Sequence, residues 1–225
     1  MEQRKRIAIY GGTFDPVHSA HLEIARRVTR LFEIDSFLIV PAKLAPHKFD
    51  RDVSSPLHRY AMLALATEAE PRVRISTFEM DEPGRHYTVD TLAHFRAQLG
   101  ESSDLFFVMG ADSWTEITTW YEWRRLIDLA NLVVVTRPGY DVSLDHVGAE
   151  TVARIVDLRH SRAERVSIAE GELKVFVTDA VMMDVSATEI RRAAQTRDAR
   201  LNSFVPAEVA EYIRKYGLYR KAHEA

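Results

Sequence analysis

The segment Gly11-Gly-Thr-Phe-Asp-Pro-Val-His-Ser-Ala-His21 concentrates residue types suited to phosphate chemistry. Gly11 and Gly12 let the backbone turn sharply and come close to a ligand, and a helix starting after them offers free amides and a positive dipole end to an anion. His18 and His21 are three apart, which on a helix puts them on one face. Two imidazoles at that position could donate hydrogen bonds to phosphoryl oxygens and offset charge developing there. The plainer alternative is that one caps the helix and the other is a satisfied core histidine. A zinc centre needs a third ligand, and the chain has no cysteine and no well-spaced carboxylate here, so no resident metal is expected. The spacing is not G-x-G-x-x-G, so a dinucleotide oxidoreductase loses support.

Near the other end, Val185-Ser-Ala-Thr-Glu-Ile-Arg191 carries a second candidate. Ser186 and Glu189 have capping-box spacing, which by itself means a well-made helix start. That same start would bind an anion, and Ser186, Thr188 and Arg191 present donors suited to phosphate, with pyrophosphate the natural candidate.

These segments need a frame that brings them together. Short β-branched runs alternate with helical patterns: Arg6–Tyr10, Ser36–Val40, Val73–Thr77, Asp104–Val108, Asn131–Val135 and Lys174–Thr178 read as buried strands. Leu22, Ala25, Val28 and Phe32 have helical spacing, Ser55-Pro56 starts a helix running to about Glu70, and Thr88–Leu99 and Thr115–Ala130 supply two more. A further helix is expected near Glu150–Leu158, within the weakly patterned region 139–172. The tail reads as two helices, Ser186–Gln195 and Pro206–Tyr216. The fold class is therefore α/β, a Rossmann-like doubly wound parallel sheet with a small C-terminal helical subdomain. Residues 1–182 are expected to form the sheet domain and 183–225 the helical part, packed as one unit. In such folds ligands lie beyond the carboxyl ends of the strands, where strand order reverses, so the loops after strands one, two and four are the places to search.

Composition bounds the partners. With 225 residues, 46% hydrophobic and 28% charged, and a formal net charge of −3, the chain lacks the basic field of a nucleic-acid binder. No segment approaches the roughly 18 apolar residues of a membrane span, and the apolar run after the basic N-terminus is too short for a signal peptide. A soluble, cytoplasmic protein is expected, with no membrane partner. Self-association into a homo-oligomer is left open.

Gly-Gly-Thr-Phe-Asp-Pro-Val-His-x-x-His with the later Ser-x-Thr-x-Ile-Arg resembles the nucleotidyltransferase superfamily of the HxGH type, with Ala20 where that motif has Gly. Pro46-His-Lys48, Tyr87-Thr-Val-Asp-Thr-Leu92, Gly110-Ala-Asp-Ser113, Thr119-Trp-Tyr121, Arg137-Pro-Gly-Tyr140 and Tyr212-Ile-Arg-Lys-Tyr-Gly-Leu-Tyr219 resemble, in order, one branch of it, the bacterial nicotinate-nucleotide adenylyltransferases. The resemblance implies transfer of the AMP half of ATP to nicotinate mononucleotide. His18, His21, Lys48 and Arg191 would be the catalytic donors. ATP would lie against Gly11, Gly12, Thr13, Phe14, His18, His21, Asp112, Arg137, Ser186, Thr188 and Arg191. The mononucleotide would meet Asp15, Lys48, Tyr87, Thr88, Trp120 and Tyr121, its carboxylate held by backbone amides near Thr88 and Tyr121. Asp112 suits ribose hydroxyls, or equally a capping role. Trp120 could stack on a pyridine ring, although an aromatic there is commonly core. Mg2+ is expected to arrive on the ATP phosphates. Two alternatives remain: another adenylyltransferase of the superfamily, acting on nicotinamide mononucleotide or on phosphopantetheine, the latter opposed by the Tyr-Thr-Val-Asp-Thr-Leu and Thr-Trp-Tyr segments, and a non-catalytic nucleotide sensor on the same fold.

Overall fold

The computed structural model describes residues 4–43, 53–82, 84, 86–136, 142–161, 163–169, 171–179, 181, 183 and 185–220. Among these residues the elements run β1 (Lys5–Gly12), α1 (Ser19–Leu31), β2 (Ser36–Pro41), α2 (Pro56–Thr67), β3 (Val73–Ile75), α3 (Phe78–Asp81), α4 (Thr88–Leu99), β4 (Ser103–Gly110), α5 (Ala111–Thr115), α6 (Trp123–Leu129), β5 (Asn131–Val135), α7 (Ala149–Val152), β6 (Ile155–Asp157), β7 (Val175–Thr178), α8 (Ala187–Gln195), α9 (Leu201–Phe204) and α10 (Ala207–Tyr216). The strands form one sheet in the order β3-β2-β1-β4-β5-β7-β6, and every pairing is parallel. This is a Rossmann-like doubly wound α/β fold. Strand order reverses between β1 and β4, where Tyr10 stands opposite Val108. The crevice of such a fold opens there, beyond the glycines that end β1.

A strand covered on both faces reads as a near-continuous apolar run, and all five residues of β5 are buried, with the one polar side chain, Asn131, accepting from the Lys174 amide. One face of the sheet packs on α1, α2 and the C-terminal helices, in a core that joins Leu22, Phe32, Met62 and Phe106 to Ile190, Val209 and Ile213. The other face packs on α4, α5 and α6 through Leu92, Trp114, Leu126 and Leu132. The tail helices thus complete one wall of the main core. Among the described residues no helix is long and apolar enough to cross a membrane.

Two local expectations are corrected. The helix expected near Glu150–Leu158 stops after one turn at Val152, and β-branched Ile155 and Val156 then join β7 as the edge strand β6. The helix expected over Thr115–Ala130 is broken. A 3-10 turn occupies Ile117–Thr119, and Glu122 adopts the left-handed backbone at φ 47° before α6 begins. Ile117, Thr118 and Thr119 are β-branched, and Thr119 Oγ1 bonds the Glu116 carbonyl, so the local chemistry competes with a continuous helix.

Candidate active site

The loop leaving β1 is built around close contacts. A Cβ on Gly12 would stand 3.0 Å from the Phe14 ring, so the second glycine is needed for proximity. Phe14 itself sits at φ 50°, a conformation a bulky residue adopts only when its surroundings hold it there. Its buried ring does so, meeting Tyr10 edge-on at 5.5 Å and His21 at 4.9 Å. Gly11 pairs with Val40 of β2, and Ala20 is buried in the first turn of α1.

His18 is the N-cap of α1 and is 7% exposed; His21 is the third residue of the helix. The imidazoles stack at 3.6 Å with a 25° tilt, and the His18 amide donates to His21 Nδ1 at 3.2 Å. An Nδ1 that accepts an N–H carries no proton, so in the neutral ring the proton is on Nε2, leaving Nε2–H as the donor. Capping and phosphate donation are therefore compatible in one residue, where the sequence posed them as alternatives. The first turn of α1 has no acidic side chain, so its positive end is not offset locally.

Ser186 caps α8, its Oγ accepting from the Glu189 amide at 3.2 Å. From that helix Arg191 reaches across 176 residues of sequence to donate to the Asp15 carbonyl at 2.8 Å, while its other terminal nitrogen donates to Thr188 Oγ1 at 3.3 Å. The two candidate segments thus converge. Ser19 Oγ adds a second tie, to the Phe204 carbonyl at 2.9 Å.

Asp15 is 5% exposed, and both of its carboxylate oxygens have protein partners: the Tyr219 hydroxyl at 2.7 Å and the Ser54 amide at 3.1 Å. The side chain expected to meet the mononucleotide is thereby engaged in tying the loop to the C-terminal chain. Thr13 presents its carbonyl to Arg59. Asp112 lies in the first turn of α5, directly after β4 and next to the reversal point.

A third group lies at α4, where Tyr87 is the N-cap and Thr88 the first helical residue. The rings of Tyr87 and Tyr121 stand 4.7 Å apart, and Tyr121 is 53% exposed. Glu122 raises the Tyr121 hydroxyl above its ordinary range. Trp120 packs partly into the core, edge-on to Phe107 at 6.5 Å. Lys48 and Arg137 lie outside the described residues.

Arg59 and Tyr219 have no place among the expected site residues. The signal for Arg59 was an arginine within the buried face of an apolar helix, three residues before Met62; Tyr219 stood in the closing motif without a role.

A parallel sheet that reverses beside a glycine loop, with imidazole and guanidinium donors at two converging helix starts, defines a nucleotide-binding α/β protein. The family described as cytidylyltransferase-like matches residues 9–193. A probable nicotinate-nucleotide adenylyltransferase of Thermoanaerobacter sp. (strain X514) is 37% identical over 226 residues, covering 100% of this chain and 99% of the relative. The one of Corynebacterium jeikeium (strain K411) is 37% identical over 209 residues, covering 93% and 98%. The chain belongs to the cytidylyltransferase-like family and, within it, to the family of these nicotinate-nucleotide adenylyltransferases. Among solved structures, the Plasmodium falciparum nicotinic acid mononucleotide adenylyltransferase complexed with NaAD superposes with a TM-score of 0.70 at 19% identity, covering 96% of this chain and 97% of that one, a likeness of fold.

Proposed function

We propose that this chain transfers the adenylyl group of ATP to nicotinate mononucleotide, giving nicotinate adenine dinucleotide and pyrophosphate, in the cytoplasmic synthesis of NAD. The observation that carries the reading is the junction at Asp15, where the histidine-bearing helix start and the Arg191-bearing helix meet. A phosphate oxygen of the mononucleotide attacks the α-phosphorus of ATP in line. The new O–P bond forms as the bond to the bridging oxygen breaks, and the electron pair leaves with pyrophosphate. The attacking group is already anionic, so no general base and no covalent nucleophile are needed. Catalysis is then positioning plus stabilisation of charge on the transferred group.

In this reading His18, His21, Lys48 and Arg191 donate to the reacting phosphates. Ser186 and Thr188 hold the leaving pyrophosphate, and Asp112 takes the ribose hydroxyls. The exposed Tyr87–Tyr121 pair and Trp120 border the pyridine ring, with the leading amides of α4 on its carboxylate. Mg2+ enters with ATP as part of the substrate; among the described residues no three acidic or histidine side chains cluster as a metal cage.

The test is pyrophosphate release from ATP with nicotinate mononucleotide, nicotinamide mononucleotide or phosphopantetheine as acceptor. Release with the first alone is expected. Equal release with the second removes the acid preference, release with phosphopantetheine alone replaces the acceptor, and silence with all three overturns the enzymatic reading.

A further inference from the structure

Arg59 is 1% exposed, among the largest side chains the core encloses completely. Burying a guanidinium is costly, and a helix in this position could present leucine or methionine at no such cost. Burial does hold the Arg59 guanidinium below its ordinary range, and the Asp15 charge opposes this only in part. Its hydrogen bonds go to neutral carbonyls: Nε to Ser54 at 3.1 Å, one terminal nitrogen to Thr13 at 2.8 Å, the other to Lys43 at 3.3 Å.

Those carbonyls belong to three separate stretches of chain. Thr13 is in the glycine loop, Lys43 follows β2, and Ser54 precedes α2. Each carbonyl is met by a different nitrogen of the planar fork, whereas the three donors of a lysine ammonium radiate from a single atom and cannot span the same positions. Two of these stretches, the glycine loop and the one before α2, are also joined through Asp15. Ser54 donates its amide to Asp15, Asp15 accepts from Tyr219, and the Asp15 carbonyl accepts from Arg191. Burial and then the charge of Asp15 push the Tyr219 hydroxyl well above the ordinary tyrosine range, so it remains a donor to that carboxylate across the working pH range.

We infer that Arg59 is a positioning residue for phosphate transfer, fixing the glycine loop against the exit of β2 and the entry to α2 while Tyr219 ties the loop to the C-terminal chain. It touches no reacting atom; it acts through the Thr13 carbonyl, two residues from Asp15, and so on the approach to His18. The inference rests on the adenylyltransferase reading for its kinetic arm and on geometry alone for its structural arm.

The experiment compares wild type with Arg59→Lys, Arg59→Ala and Tyr219→Phe by steady-state kinetics, thermal unfolding and amide hydrogen exchange. Loosening a loop that orients reactants costs up to about a hundredfold in rate. Arg59→Lys should therefore lose about ten- to a hundredfold in kcat with a smaller change in KM, in a protein that stays folded at assay temperature. Millimolar guanidinium, but not methylammonium, should restore part of the Arg59→Ala rate, and exchange at the amides of Thr13 to His18 should quicken. If the alanine variant does not fold, Tyr219→Phe, which removes one hydroxyl, should show the same faster exchange and a lower kcat. Wild-type kcat, KM and exchange in folded Arg59→Lys would overturn the inference, as would activity falling only in step with the unfolded fraction. Silence of the wild type with every acceptor would instead fail the functional reading, and faster exchange in the variants would still support the positioning role.

Discussion

In the proposed mechanism the two nitrogens of His21 have separable tasks, so two substitutions should divide them. Asparagine can place an oxygen where Nδ1 stands and keep the bond from the His18 amide, but cannot reach the position of Nε2. Glutamine reaches the Nε2 position and gives up the cap. Losing an N-terminal capping bond costs about 1 kcal/mol, which in a chain of this size lowers the melting temperature by about 2–4 °C. Losing one preorganised donor to a transferring group costs about 2.7–4 kcal/mol, or a factor of about a hundred to a thousand in kcat. His21→Asn should therefore melt within about 1 °C of wild type and turn over at least about a hundredfold more slowly. His21→Gln should melt about 2–4 °C lower and retain much more of the rate. Calorimetry and the pyrophosphate assay measure both. Equal losses in the two variants, or wild-type turnover in His21→Asn, would refute the assignment of donor and cap to separate nitrogens.

His18→Ala should lower kcat by about a hundredfold or more while circular dichroism stays that of the native fold; normal turnover in a folded variant removes His18 from the mechanism. Arg191→Lys keeps the charge but cannot serve both Asp15 and Thr188, so kcat should drop about tenfold or more in the same assay, and an unchanged rate would show that the fork is dispensable. Partial burial raises the Glu79 carboxyl above its ordinary range, with Thr91 and then His86 opposing. Folding therefore favours its protonated form, a contribution complete below the unfolded pKa of about 4.3 and lost as pH rises through the folded value. Glu79→Gln should accordingly raise the melting temperature at about pH 7 and leave it nearly unchanged at about pH 4, and a shift of equal size at both would contradict this assignment.

The sheet was legible because buried parallel strands are continuous apolar runs, and the six strands expected from such runs form here, with β3 ending at Ile75. β6 was not, since Ile155-Val-Asp157 is too short to give a pattern, and α6 was hidden because Glu122's left-handed turn has no glycine to mark it. Ser186 was legible as a cap because capping is local in sequence. Arg59 and Tyr219 were not legible as parts of the site, because the partners that tie them to it are carbonyls 16 and 46 residues from Arg59 and a carboxylate 204 residues from Tyr219, and no spacing rule covers such distances.

The bond between Tyr219 and Asp15 also sets an order of events during synthesis. At about 5–20 residues per second, the 204 residues between them take about 10–40 s to emerge, and throughout that time the glycine loop lacks its last tether. Contacts of such long separation are also the slow ones to form. A nascent chain can therefore lay down most of its sheet well before the glycine loop gains its tie to the C-terminal chain.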